Sequence, residues 1–372
     1  MSRSRSKTDE PIRYAVVGQG YIAQAAVLPA FAHARRNSRL AALVSGDPAK
    51  RKALSRRYDV PAYSYRQFED ALDEARIDAV YIALPNDQHR EWTMRSARLG
   101  RHVLCEKPLA VTARDCRAMI AVCRRAGVKL MTAYRLHFER ATLRAIEAVR
   151  RGELGRAKLF VSSFTNDVKP PNIRLEADQG GGTFYDIGIY CINAARHLFE
   201  AEPEEVFAMA TAPKKGASVE ESATAMLRFP GDRLAAFCLS FGTDKTSEYR
   251  VVGTRGSLRV EPGYELAKGL AHHYRHGGSE TAVGYGKRDQ FAPELLYFSD
   301  CILEDRDPQP SGEEGLADVR VIEALYRSAR TGRAVKLAPR RMRTQPSPRN
   351  EKTRPPVPRM PRLVHATPPG GG

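Results

Sequence analysis

Ile12-Arg-Tyr-Ala-Val-Val-Gly-Gln-Gly-Tyr-Ile-Ala23 decides the fold. A run rich in branched and aromatic residues passes directly into Gly18-x-Gly20-x-x-Ala23. The pattern is a buried strand turning sharply into a helix. The first glycine permits the tight turn. The second lets backbone amides approach a pyrophosphate, which then rests on the helix N-terminus. A glycine pattern alone is weak, but a strand before it and a helix after it are the context a dinucleotide loop requires.

The chain beyond repeats this alternation. An alanine-rich helix is expected to about Arg36, then a strand over 40–44 ending at Ser45-Gly46-Asp47, and a helix through Arg57. A strand over 79–84 is stopped by Pro85-Asn86. A helix over 91–99 leads to a strand over 102–106. A helix over 114–125 ends at Gly127, where a left-handed cap suits glycine, and a strand over 128–132 closes the series. Alternating strands and helices predict an α/β Rossmann domain, a doubly wound parallel sheet.

The character changes near residue 135. A helix over 139–151, a strand over 158–164 and a helix over about 184–199 come first. Strand-like runs near 205–211, 223–229, 234–241 and 250–260 follow, with glycine-containing turns between them. Successive strands with tight turns predict a mostly antiparallel open sheet in an α+β C-terminal domain. Helices near 291–303 and 315–331 close it. The domain plan is a disordered arm over 1–11, the dinucleotide-binding domain over 12–134, a substrate and oligomerisation domain over 135–337, and a tail over 338–372.

Composition narrows the class. With 42% hydrophobic and 28% charged residues the chain reads as a soluble globular protein. No apolar run approaches the roughly 18 residues that span a membrane, and the polar start of the sequence lacks a secretory apolar region, so a cytoplasmic setting is expected. The net charge of +17 invites nucleic acid, yet eight basic residues against the single acid Glu351 lie in the proline-rich segment after Ala338. Such a tail lacks the apolar residues for a core and is expected to be disordered. The remainder shows no clean basic stripe, so nucleic-acid binding is not expected. Six cysteines without a C-x-x-C pair predict reduced thiols and no metal site.

Three clusters carry chemistry. At the second strand's end an acid would hold a ribose 2′-hydroxyl and repel a 2′-phosphate. Here Ser45 stands with Lys50 and Arg51 one turn into the next helix, which suits a phosphate. Asp47 either caps that helix or holds a ribose hydroxyl. NADP is therefore preferred, with NAD left open. The second cluster is Glu106-Lys107-Pro108. Proline stops the strand and leaves the Lys107 ammonium at the carboxyl edge of the sheet, where ligands bind in open α/β folds. The third is Gly180-Gly-Gly-Thr-Phe-Tyr-Asp186-Ile-Gly-Ile-Tyr190. Helical spacing puts Asp186 and Tyr190 on one face, and the glycines allow close approach of backbone to a ligand. The plainer reading is an anion near a helix start and a tyrosine packed in the core.

Together these residues resemble the glucose–fructose oxidoreductase/inositol dehydrogenase/MocA (Gfo/Idh/MocA) family, nearest its glucose–fructose oxidoreductase branch. The resemblance covers residues 11 to 337. It rests on the glycine loop, Val44-Ser45-Gly46 with Lys50, Glu106-Lys107-Pro108, Tyr134-Arg135, Gly180 to Tyr190, Arg255 to Tyr264 and Asp289 to Glu294. Many members have histidine where this chain has Tyr190, which favours a tyrosine-based mechanism. The resemblance implies a sugar oxidoreductase with Lys107, Asp186 and Tyr190 as catalytic residues. Tyr190 would move a hydroxyl proton, Lys107 would supply the nearby cation that a tyrosine base needs, and Asp186 would orient the sugar or hold Lys107 charged. The implied cofactor set is Gly18, Gln19, Gly20, Tyr21, Ile22, Ser45, Lys50, Arg51, Pro85, Asn86, His89, Glu106, Lys107 and Arg135. A cis Lys107–Pro108 bond and a homodimer or homotetramer through the C-terminal sheet are implied as well. An NAD-dependent glycosidase of the same fold and a non-catalytic sugar- or nucleotide-sensing regulator are the competing functions.

Overall fold

The computed structural model describes residues 10–342 and 344–368. Most of the expected N-terminal arm lies outside the described residues. Strand β1 (Ile12–Val17) is followed by helical turns over 21–30, whose last part is α1 (Leu28–Ala30). Then come β2 (Ser38–Val44), α2 (Pro48–Tyr58), β3 (Ala62–Tyr63), α3 (Phe68–Glu74), β4 (Ala79–Ile82), α4 (His89–Arg98), β5 (His102–Glu106), α5 (Ala113–Arg125) and β6 (Leu130–Ala133). The six strands form one parallel sheet in the order β3-β2-β1-β4-β5-β6. The order reverses at β1, so the turn at Gly18 opens at the crevice between β1 and β4. The helix after this turn is shorter than expected. It ends at Ala30, and Phe31 and Ala34 fold inward (7% and 0% exposed) while a turn carries the chain to β2.

The second half comprises α6 (Arg140–Arg150), β7 (Ala157–Asp167), α7 (Ile189–Phe199), β8 (Glu205–Ala210), β9 (Ser222–Phe229), β10 (Arg233–Ser240), β11 (Gly242–Gly253), β12 (Gly256–Val260), β13 (Leu270–His276), β14 (Ser279–Tyr285), α8 (Phe291–Leu303), α9 (Gly312–Thr331) and β15 (Val335–Lys336). Nine strands form the sheet β14-β13-β12-β11-β7-β10-β9-β8-β15. Its pairs are antiparallel except β10 with β7. Phe160, Phe164 and Phe237 turn one face toward a core shared with α6 and α7. The opposite face leaves Leu159, Val161, Met226 and Leu234 exposed. The hairpin β13–β14 escaped the sequence reading because histidines interrupt β13 and the mostly exposed β14 mixes small and polar residues without apolar alternation.

Residue 135 divides the two sheets but not the two cores. Helix α8 returns to the first sheet, where Phe291, Leu295 and Phe298 pack with Tyr14, Val16 and Leu28. Tyr14 Oη lies 2.8 Å from Ser299 Oγ, and Asn37 Nδ2 donates to Leu296 O at 2.9 Å and to Asp300 Oδ1 at 2.7 Å. Helix α9 approaches so closely that a Cβ on Gly315 would lie 2.6 Å from Thr132 Oγ1.

The C-terminal segment corrects an expectation. Over residues 338–342 and 344–368 it is no disordered tail but an extended strap laid across both halves. Arg340 Nη2 donates to Glu313 Oε2 at 2.6 Å, the buried Asn350 donates to Gln309 Oε1 at 3.0 Å, and Asp289 N donates to Pro355 O at 3.0 Å. Polar bonds to folded surface hold it in place of a core, so its poverty in apolar residues did not signal disorder. Residues 369–372 lie outside the described residues. Among the described residues no helix is long and apolar enough to cross a membrane, and no group of three metal-ligating side chains gathers.

Candidate active site

A cleft of about 950 Å³ runs between the carboxyl edge of the first sheet and the inner part of the second. At its floor Gly18 has φ +88°, and a Cβ there would lie 2.4 Å from Ala83 O, so glycine is required. A Cβ on Gly20 would meet nothing within 4 Å. Gln24 N is the first amide to bond back, to Gly20 O at 3.2 Å, which leaves the preceding amides without a helical acceptor. Gln19 is pinned through Nε2 to Val16 O (2.8 Å), while its buried Oε1 has no partner among the described residues. Open backbone, unused amides and an orphaned acceptor fit a dinucleotide. Gly18 to Ile22 would hold its pyrophosphate, and Ser45 with Lys50, which also line the cleft, its adenosine ribose.

Asp47 caps α2, as one of its two readings held: Oδ1 accepts from Ala49 N at 2.8 Å and Lys50 N at 3.2 Å. Its Oδ2 accepts from His365 Nδ1 at 2.8 Å. That bond, against slight burial, holds the carboxyl below its ordinary range.

Other candidate residues take different places. Arg51 turns away from the cleft: Nη1 donates to Ser45 O at 2.7 Å and the side chain lines a separate groove with Arg56 and Asp59. His89 is fully buried, its ring nitrogens 2.8 Å from Pro108 O and 3.0 Å from Leu84 O. It ties two turns of the ligand edge together and does not face the cleft. Burial pushes its pKa down against the pull of both carbonyls. Pro85 and Asn86 line the cleft, but the Asn86 amide donates to Gly180 O at 2.8 Å and so joins the two halves. Arg135 donates to Tyr264 O (2.6 Å) and Gln290 Oε1 (2.5 Å) and lies over the Tyr190 ring at 5.1 Å, which makes it a brace.

Strand β5 delivers Lys107 to the middle of the cleft, and the Lys107–Pro108 peptide is cis. Lys107 Nζ donates to Asp186 O at 2.9 Å and Asp186 Oδ1 at 3.2 Å. It also sits 4.9 Å from the centre of the Tyr190 ring. The cation therefore meets the ring face. Residues 184–188 form a wide helical turn leading into α7, and both Asp186 and Tyr190 still reach the one ammonium. Glu106, just before, accepts from Tyr81 Oη at 2.8 Å, and burial raises its pKa.

Arg174, on the irregular segment between β7 and α7, is the member that sequence reasoning missed. Its Nε donates to Asp186 Oδ2 at 2.8 Å. Burial alone would raise the Asp186 carboxyl, but Arg174 and Lys107 together outweigh it, and the net shift is downward. Burial alone would depress Lys107, but Tyr190, Asp186 and Glu106 outweigh it, and the net shift is upward. The pair stays ionised at neutral pH. The glycines before Asp186 make close protein contacts, and Gly181 lines the cleft as well. A Cβ on Gly180 would lie 2.6 Å from Val111 and 2.7 Å from Asn86, and one on Gly182 2.0 Å from Tyr326 Oη. They let the loop carrying Arg174 close against the first domain.

Both halves of the chain match known family models. Residues 12–134 match the model for an oxidoreductase family with an NAD-binding Rossmann fold, and residues 142–259 that for a GFO/IDH/MocA C-terminal domain. An NADP(+) D-xylose 1-dehydrogenase of Haloarcula marismortui is 31% identical, over 90% of this chain and 96% of its own. The crystal structure of an aldose-aldose oxidoreductase from Caulobacter crescentus, complexed with glycerol, superposes with TM-score 0.84 at 40% identity, covering 88% of this chain and all of that one. A 3-ketoreductase from Actinomadura kijaniata, in complex with NADP and TDP-benzene, superposes with TM-score 0.79 at 27% identity, over 86% and 98%. With a dinucleotide loop in one half, a Lys107–Asp186–Tyr190 cluster at the junction and both halves matched, the chain belongs to the Gfo/Idh/MocA family of oxidoreductases.

Proposed function

We propose that the protein is an NADP-dependent oxidoreductase acting on a CH–OH group of a sugar, as an aldose dehydrogenase or an aldose–ketose oxidoreductase. The observation that carries this is the Lys107 ammonium, held by Asp186 and set against the ring of Tyr190 beside an open dinucleotide loop. The relatives named above, a D-xylose 1-dehydrogenase, an aldose-aldose oxidoreductase and a 3-ketoreductase, support the substrate class. When bound, nicotinamide supplies the hydride acceptor or donor.

The chain's own residues do the rest. Tyr190 passes the hydroxyl proton. In the direction of reduction it gives that proton up, and Lys107 and Arg135, 4.9 and 5.1 Å from its ring centre, favour the negative charge it acquires. Asp186 holds Lys107 in place, and Arg174 holds Asp186. The largely buried ion pair needs no reorganisation as the reaction proceeds, and bringing the sugar carbon to the nicotinamide supplies much of the acceleration.

The second sheet supports a homodimer or homotetramer. Val161, Ala236 and Met226 lie in one cross-strand row on its outer face, with Val161 and Met226 52% and 53% exposed. Free cysteines throughout support a reducing, cytoplasmic setting.

The test is a panel of aldoses and polyols with NADP⁺ and NAD⁺, read by the absorbance of reduced nicotinamide. Steady formation of reduced NADP with an aldose is expected. Sugar binding without turnover would favour a sensing regulator, and cleavage of a glycoside with no net nicotinamide reduction would favour a glycosidase.

A further inference from the structure

The strap reaches the ribose end of the cleft from the far end of the chain. Val364 and Gln24 hold each other through two hydrogen bonds, Val364 N to Gln24 Oε1 at 2.8 Å and Gln24 Nε2 to Val364 O at 2.9 Å. The next residue, His365, has φ +45°, a left-handed conformation that turns the chain there. Its Nδ1 rests 2.8 Å from Asp47 Oδ2. Val357, Met360 and His365 share a cleft wall with Gly46, Asp47 and Lys50.

An acid at the end of the second strand normally selects NAD, by accepting the ribose 2′-hydroxyl and repelling a 2′-phosphate; Ser45 holds that place here, and Asp47, two residues on, is the nearest carboxylate to it in the chain. Asp47 cannot serve that way freely. Its Oδ1 caps α2, and its Oδ2 is taken by His365. With the carboxylate occupied, Ser45 and Lys50 set the character of the pocket. We propose that His365 is a specificity-determining residue, which by engaging Asp47 makes the ribose end accept a 2′-phosphorylated adenosine. This rests on the oxidoreductase reading above and adds to it a cofactor-selecting role for the strap.

The test is calorimetric binding of 2′,5′-ADP and of 5′-AMP to the full-length protein, two probes that differ by the 2′-phosphate alone. The wild type is expected to prefer 2′,5′-ADP. His365→Ala is expected to weaken 2′,5′-ADP about tenfold while leaving 5′-AMP within about twofold. The side chain is 66% exposed, so the substitution should leave the fold intact. Asp47→Asn combined with His365→Ala removes the uncovered charge but keeps a capping side chain, and should regain binding of 2′,5′-ADP. An unchanged ratio of the two probes in His365→Ala, or an equal loss of both, overturns the proposal and leaves the oxidoreductase reading standing. A wild type that binds neither probe, or prefers 5′-AMP, overturns the proposal before any substitution is made, and the aldose panel above decides the oxidoreductase reading separately.

Discussion

Lys107 is bound on three sides, by the Asp186 carbonyl, the Asp186 carboxylate and the Tyr190 ring. Lys107→Met keeps the length of the side chain and removes the charge. Its kcat should fall by about 10²–10⁴-fold while the NADP⁺ dissociation constant, measured by fluorescence, stays within a few-fold. Arg174→Ala tests the residue behind the pair. Asp186 is held below its ordinary pKa by Arg174 and Lys107 against burial. Activity that needs its ionised form is therefore present at neutral pH and lost as the pH falls through the depressed value. Without Arg174 that value rises, and the acid limb of kcat/KM against pH should move to higher pH. An unmoved limb would show that Arg174 does not act through Asp186. That Lys107 ends a strand and that Asp186 and Tyr190 share a helical face was legible in the sequence from proline and spacing, while their gathering into one site was expected from the family resemblance. Arg174 was not, since an irregular loop has no period to place it. His89, Arg51 and Arg135 were placed at the right edge of the sheet, but sequence says nothing of the direction in which their hydrogen bonds draw them.

At the level of elements, α7 and α9 meet through a fully buried cation. Arg196, 0% exposed, donates to Asp318 Oδ1 at 2.6 Å, Glu314 Oε2 at 3.1 Å and Glu202 Oε2 at 2.7 Å. Tyr134 and Asn193 donate to the other Asp318 oxygen. Asp318→Ala leaves Arg196 paired with Glu202 and Glu314 but strips the buried Tyr134 hydroxyl and Asn193 amide of their acceptor, so it should cost about 1–3 kcal/mol of stability in urea unfolding. A loss under about 1 kcal/mol would mean that water enters to replace it. The alternation of strand and helix to β6 was readable because each element repeats its own period. The role of α8 was not. A helix buried nearly all round shows no polar face to say which sheet it covers, and it covers the sheet that comes first in the chain.

For the whole molecule, the outer face of the second sheet is the one broad apolar surface the described strands leave open. Met226→Lys in its centre should lower the mass measured by light scattering, if copies of the chain meet there, and leave the unfolding midpoint of the monomer nearly unchanged. An unaltered mass would move the interface elsewhere. The strap was beyond sequence reading because its partners lie far back in the chain. The contact between His365 and Asp47 spans 318 residues. That separation has a temporal meaning. At about 5–20 residues per second of synthesis, Asp47 leaves the ribosome roughly 15 to 60 s before the histidine that covers it. A nascent chain therefore carries the glycine loop and an uncovered Asp47 carboxylate well before His365 is made and can reach it.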